Sequence, residues 1–219
     1  SLCDWSSDVC SSDLQGESTT ASHTIESDRD IDINFIGHAE GSININAGTA
    51  DVIVEGGIEN ASGDTTILTG GSISTTSSFD ASATGSIGGR LVTLSAGGTL
   101  GSEGRPLRTD LSNSQTPTRL DATTTNGEIY IQEVNGDLAI GRITAGSDQN
   151  VTLTTNQSIR RASTGASSLI SGGAISLYAE GDIGNAAESS TILIDTGINE
   201  GDLLRATSTI GGVHVKEAT

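Results

Sequence analysis

Apolar and polar positions alternate with a period of two in short runs along most of this chain, and a glycine or small polar residue follows nearly every run. In Arg90–Gly101, Val92, Leu94 and Ala96 fall on one face and Thr93 and Ser95 on the other, before Gly97-Gly98 breaks the run ahead of Leu100. Such a phrase predicts a half-buried strand ended by a turn. The same spacing recurs in Val151–Ile159 and Ile175–Ile183, with looser copies in Thr65–Ile73 and in Ile33–Gly37 with Ile43. The pattern starts at Asp30, where Ile31, Ile33 and Phe35 alternate with polar residues, and continues through Ile43, Ile45 and Val52-Ile53-Val54. Leu100–Leu111 is a variant copy in which Pro106, lacking an N–H, predicts a turn or the first residue of a strand. Asn126-Gly127 and Asn135-Gly136 are turn signals ahead of Ile129–Ile131 and Leu138–Ile140. Ile192, Ile194, Leu203, Ile210, Val213 and Val215 supply the last short strands. Thr75–Ala83 and Thr164–Ser168 read as connections, and no helical period is sustained anywhere.

Strands spaced roughly 9 to 13 residues apart suit antiparallel hairpins as well as a solenoid, so spacing alone does not choose between them. Three features favour a parallel β-helix. The phrase repeats together with its turn glycine, as stacking of equivalent positions requires. Its inward positions are Ile, Leu, Val and Ala, which fill a thin core. Its corner residues are Gly, Asn, Asp and Ser, and of these Gly and Asn tolerate left-handed backbone best. The expected fold is therefore all-β, a single parallel β-helical rod of roughly seven to ten coils of about 20 to 27 residues. At about 4.8 Å per coil the rod would be roughly 35–50 Å long.

Composition sharpens this picture. Of 219 residues, 29 are Gly and 2 are Pro, and aromatic residues make up 2%, too few for the thick core of a sandwich or an α/β enzyme. A Gly/Ser/Thr-rich acidic chain also resembles a disordered one, but recurrent β-branched alternation argues against disorder. The net charge is −18, from 10 Lys+Arg against 28 Asp+Glu. Without a basic stripe the chain cannot neutralise phosphates, which excludes nucleic acid as a partner and disfavours an anionic membrane surface. Such acidity promotes solubility, as expected outside a cell. No stretch of 18 apolar residues is present, so no transmembrane helix is expected.

Residues 1–14 match nothing downstream, and Asp4–Leu14 reads as the translation of a sequencing-adapter oligonucleotide. The competing reading is a natural segment in which Cys3 and Cys10 close a small loop or bind a metal. Setting residues 1–14 aside leaves 205 residues without Cys or Trp, at net charge −15 because Asp4, Asp8 and Asp13 leave with them. A cysteine-free chain is no disulfide scaffold. The expected organisation is an adapter-derived artefact over 1–14, a disordered or frayed stretch over 15–29, and a β-helical repeat segment over 30–219. The absence of Met, of a signal peptide and of a cap at Val213–Thr219 leads us to expect a segment truncated at both ends.

Candidate chemistry is sparse. Asp28, Asp30 and Asp32 alternate and are the candidates for bridging a cation such as calcium, against the alternative of a solvated acidic face. The calcium-binding Gly-Gly-x-Gly-x-Asp repeat does not occur. Polysaccharide lyases and hydrolases also use β-helices, but they need clustered carboxylates, or an Arg or Lys base beside calcium, on adjacent coils. Here Arg160-Arg161 is the one basic doublet, expected to cover a coil edge or pair with surface acids. His23, His38 and His214 are scattered, with no nucleophile elbow to accompany them. We therefore expect no catalytic residue, no cofactor and no enzyme activity; a polysaccharide-active or carbohydrate-binding β-helix is the alternative.

Gly88–Gly101 followed by Arg105–Thr109, Asn126–Ile131, Gly136–Gly141 and Gly172–Gly184 together resemble the repeat region of filamentous-haemagglutinin-like adhesins. These are large exoproteins of Gram-negative bacteria, typically exported by two-partner secretion. The resemblance spans most of residues 30–215 and implies a right-handed β-helical shaft, secreted or held at the bacterial surface. It also implies an outer-membrane secretion partner for the full-length protein, and host-cell or surface glycans as ligands. The family's secretion domain carries an Asn-Pro-Asn motif that is absent here, which implies that this stretch is interior shaft.

Overall fold

Stacked copies of the repeating phrase form two long sheets in the computed structural model, which describes residues 22–37, 40–76, 85–111, 117–163, 168–186, 191–197 and 203–218 apart from the Phe35 side chain. The segment 1–14 with Cys3 and Cys10, residues 15–21, His38, and most of the connections expected at Thr75–Ala83 and Thr164–Ser168 lie outside the described residues.

The first sheet runs through β1 (His23–Glu26), β3 (Ile43–Asn46), β5 (Asp64–Thr69), β8 (Leu91–Ala96), β10 (Arg119–Thr124), β12 (Leu138–Thr144), β15 (Leu169–Gly172), β17 (Ile192–Thr196) and β19 (Val215–Glu217). The second runs through β2 (Ile31–Ile36), β4 (Val52–Ile58), β7 (Ile87–Gly88), β9 (Leu107–Asp110), β11 (Ile129–Glu133), β13 (Val151–Thr155), β16 (Ile175–Ala179) and β18 (Leu204–Ser208). Two short strands branch off these paths, β6 (Ile73–Ser74) beside β4 and β14 (Ile159–Arg161) beside β12. Every strand pair among the described residues is parallel. Each rung follows the last by about a coil, from His23 to Ile43 and from Val92 to Leu120 for example. The chain is thus a parallel β-helix of about seven turns.

Stacking of like residues explains the core. Ile25, Ile45, Ile67, Leu94, Ala122, Ile143, Ile170 and Ile194 stand one above another in the first sheet. A second column rises on the other side through Val52, Ile73, Leu100, Ile129, Val151, Ile175 and Leu204. Nearly all of these side chains are buried, and they belong to one continuous cluster. Each fully buried Ile or Leu contributes roughly 1.5–3 kcal/mol over an exposed one. Small aliphatics therefore suffice without aromatic filling, because within each column a side chain stacks between copies above and below.

Three features differ from the sequence reading. β1 lies inside the stretch expected to be frayed, where Ile25 stands beside Ile45. A single short alternation next to polar residues carries little signal until the next rung covers it. The register also slips in two strand pairs, between Ile33 and Phe35 opposite β4 and between Leu120 and Ala122 opposite β12. At the first slip a β-carbon on Gly56 would overlap the Asn34 carbonyl, so only glycine lets the rungs close there. Finally, Ile210 and Leu203, expected as strand residues, lie outside the strands, and Ile210 is 84% exposed.

The corner glycines have a measurable role. A β-carbon on Gly97 would overlap the carbonyl of Gly70, the corner residue of the preceding rung, whereas one on Gly104 would meet nothing within 4 Å. We predict that Gly97→Val lowers stability by about 2–3 kcal/mol, because a backbone neighbour cannot swing aside. Gly104→Val should stay within about 0.5 kcal/mol. Urea melts of the two variants followed by circular dichroism test this, and equal losses would contradict the stacking.

Candidate functional site

The acids picked out in the sequence sit together at one end of the described rod but do not share one strand. Asp28 sits in the bend between β1 and β2, Asp30 immediately before β2, and Asp32 on its outward face; all three are exposed. Asp30 already has a local partner, since the Asp51 amide donates to its Oδ1 at 3.0 Å. Among the described residues no group of three or more His, Cys, Asp or Glu side chains converges as a metal site would need.

The Asp30 bond is the first step of a ladder that sequence reading missed. The Ser72 amide donates to Asp51 Oδ1 at 2.6 Å, and the Thr99 amide to Ser72 Oγ at 3.1 Å. A second ladder climbs another corner: Ser158 N to Asp137 Oδ1 at 3.0 Å, Asp182 N to Ser158 Oγ at 3.1 Å, and Gly212 N to Asp182 Oδ1 at 2.7 Å. In each case a corner side chain accepts the corner amide of the next rung, a group the sheet leaves unpaired. Corner hydroxyls do related work. Thr155 Oγ1 donates to the Gly136 carbonyl at 2.9 Å and accepts the Gln157 amide at 3.1 Å, and Ser208 repeats the pattern with Gly181 and Gly211. Several of the acids and serines in the composition are thus structural.

The basic residues are likewise placed for pairing. Arg160 contacts Asp137 at 2.8 Å, Arg90 contacts Asp64 at 2.7 Å, and Arg119 contacts Asp121 at 2.8 Å. Such half-exposed pairs contribute about 0–1 kcal/mol each. His23 and His214 lie at opposite ends of the described rod, His23 as the first residue of β1 and His214 immediately before β19.

One outward surface differs from the rest. On the second sheet Tyr130, Thr152, Ser176 and Arg205 form one outward column, and Thr154, Tyr178 and Thr207 another. Both tyrosines of the chain are therefore on this face. They border an open groove of about 500 Å³, together with Glu103, Asn150, Ser176 and Arg205. The groove has a fixed polar wall. Tyr130 Oη donates to Glu128 Oε2 at 3.0 Å, Asn150 Nδ2 donates to Glu128 Oε1 at 2.7 Å, and the Ala174 amide donates to Asn150 Oδ1 at 3.2 Å. Burial, the hydrogen bond to Glu128 and the charges of Glu128 and Glu103 push the Tyr130 hydroxyl up to about 12, so it remains a neutral phenol at physiological pH. Half-buried tyrosine side chains and an anchored Asn150 amide are what this surface presents to the groove.

A second unusual group points inward. Glu133 continues the alternation of Ile129 and Ile131, stands between Thr109 and Thr155 in the stack, and is 1% exposed. Thr109 Oγ1 bonds its Oε2 at 2.7 Å, and the Leu111 amide donates to its Oε1 at 2.9 Å. Burial pushes the carboxyl up to about 8, with the charge of Asp110 adding to the rise and the bonds from Thr109, Leu111 and Asn135 opposing it. It is enclosed in the core, away from the tyrosine groove. Comparison with protein-family models, curated proteins and solved structures finds no match to this chain.

Proposed function

We propose that this chain is a non-catalytic shaft segment of a secreted or surface-exposed bacterial adhesin-like exoprotein, exported with an outer-membrane secretion partner. The observation that carries the reading is the unbroken stack. One core and two parallel sheets run the length of the described chain, so each turn serves chiefly to support the next. The distribution of charged groups agrees with it, because Asp51, Asp137 and Asp182 act as rung-to-rung acceptors. No helix among the described residues is long and apolar enough to cross a membrane, which is compatible with export as a rod. The resemblance of Gly88–Gly101 and Gly172–Gly184 to filamentous-haemagglutinin-like repeats supplies the adhesin and secretion parts of the reading.

Antibody raised against residues 22–218 tests the proposal in a strain carrying the parent reading frame. We expect labelling of intact, unpermeabilised cells or of culture fluid, and its loss when the adjacent transporter gene is deleted. Labelling confined to permeabilised cells would overturn it.

A further inference from the structure

We propose that the outward face of β11, β13, β16 and β18 binds an extended, uncharged oligosaccharide, held against the rings of Tyr130 and Tyr178. This goes beyond the shaft reading, which needs no ligand. The core of the rod is built from Ile, Leu, Val and Ala and uses no tyrosine among its buried residues. Yet the chain's 2 tyrosines share one face and one groove.

Their placement suits a sugar chain. Tyr130 and Tyr178 lie two rungs apart, on β11 and β16 with β13 between them, which is about 9.6 Å along the rod axis. They stand in neighbouring outward columns, roughly 7 Å apart across the sheet, so an oligosaccharide crossing the face diagonally would meet both rings with different sugar residues. The C–H face of a pyranose packs on an aromatic ring, and its ring-edge hydroxyls need donors and acceptors in the plane beside it. Thr152 lies on the β13 rung between the tyrosines, and Asn150 and Ser176 line the groove beside it. Glu128 ties Tyr130 and Asn150 together before any ligand arrives, which lowers the ordering cost of binding.

The alternatives fit less well. A peptide adding as a strand needs a free sheet edge, and β11, β13 and β16 are each paired on both sides. A polyanionic glycan would approach a chain of net charge −18 through a groove that Arg205 lines as its one basic residue among the described residues, with Glu103 also in the lining. The chemistry left is neutral, hydroxyl-rich and ring-shaped.

Isothermal titration calorimetry of the purified chain with glucan, mannan, xylan and galactan hexasaccharides, and with hexagalacturonate as the charged comparison, tests the proposal. We expect saturable binding of at least one neutral hexasaccharide, with hexagalacturonate weaker. Tyr178→Ala and Tyr130→Ala should each weaken that binding by about tenfold or more, while Tyr178→Phe, which keeps the ring, retains it. Both tyrosines are only half-buried, and unchanged urea midpoints in the alanine variants would show that the fold persists. Absence of saturable binding by every neutral hexasaccharide would overturn the site, as would undiminished binding in the alanine variants or a preference for hexagalacturonate. None of these failures touches the shaft reading, which rests on the stack and on surface labelling.

Discussion

Replacing Glu133 by Gln should abolish most of the loss of stability that the parent protein suffers between pH 5 and pH 8. Folding encloses this carboxyl among Thr109, Thr155 and the Leu111 amide, where its value is pushed up from 4.5 to about 8. The folded chain therefore holds a proton that the unfolded chain has released throughout that window. Stability depends on pH in proportion to protons bound unfolded minus protons bound folded, a negative quantity here, so stability falls as pH rises. The stabilisation is fully present below about 4.5 and is lost as pH rises through about 8. One proton corresponds to a slope of roughly 1.4 kcal/mol per pH unit. Glutamine keeps the oxygen that accepts the Leu111 amide and offers an N–H₂ where the protonated acid carries its hydroxyl, yet it does not titrate. Urea midpoints of parent and Glu133→Gln should therefore coincide near pH 5 and diverge upward in pH, with the variant the more stable at pH 8. Because the other acids are common to both proteins, the difference isolates Glu133. Parallel curves would mean that Glu133 is not buried as described.

What could be read from the residues depended on whether the information lay within one rung or between rungs. Val92, Leu94 and Ala96 carry their own alternation and announce a strand unaided, as do Ile175, Leu177 and Ala179. The recurrence of that phrase was enough to choose a stack over hairpins. Glu133 was within reach, since continuing the Ile129–Ile131 alternation by two places turns it inward. An acid at that position is easily taken as the end of the run. The corner ladders were not legible, because Asp51 and Ser72 are 21 residues apart and become partners only once the register is known. The groove is the extreme case. Tyr130 and Tyr178 look unrelated along the chain, and only the successive pairings of β11 with β13 and of β13 with β16 bring them to one face. Asp28, Asp30 and Asp32 show the converse: alternation suggested one shared strand face, but only Asp32 lies within β2.

Truncating Leu94 should cost far more than truncating Leu204, although both are leucines at equivalent inward-type places in a repeating stack. Leu94 is 1% exposed and lies between Ile67 of β5 and Ala122 of β10. Ala122 is too short to fill the space left by Leu94→Ala, and Ile67 is β-branched and stiff at χ1, so the cavity persists. We expect a loss of about 3 kcal/mol, within the 2–5 kcal/mol usual for such changes. Leu204 is 41% exposed, on the last described rung of its sheet, and Leu204→Ala should cost less than about 1 kcal/mol. The two variants should also differ in where they loosen the rod. A turn of a solenoid touches only its neighbours, so a defect acts locally before it acts globally. Hydrogen exchange in Leu94→Ala should rise most in β5, β8 and β10 and least in β17, several rungs away. Equal destabilisation at the two leucines, or exchange raised uniformly along the chain, would contradict a core assembled rung upon rung. A local rise would instead mean that each turn owes its order to the packed face of the turn beside it, which is the property a load-transmitting shaft requires.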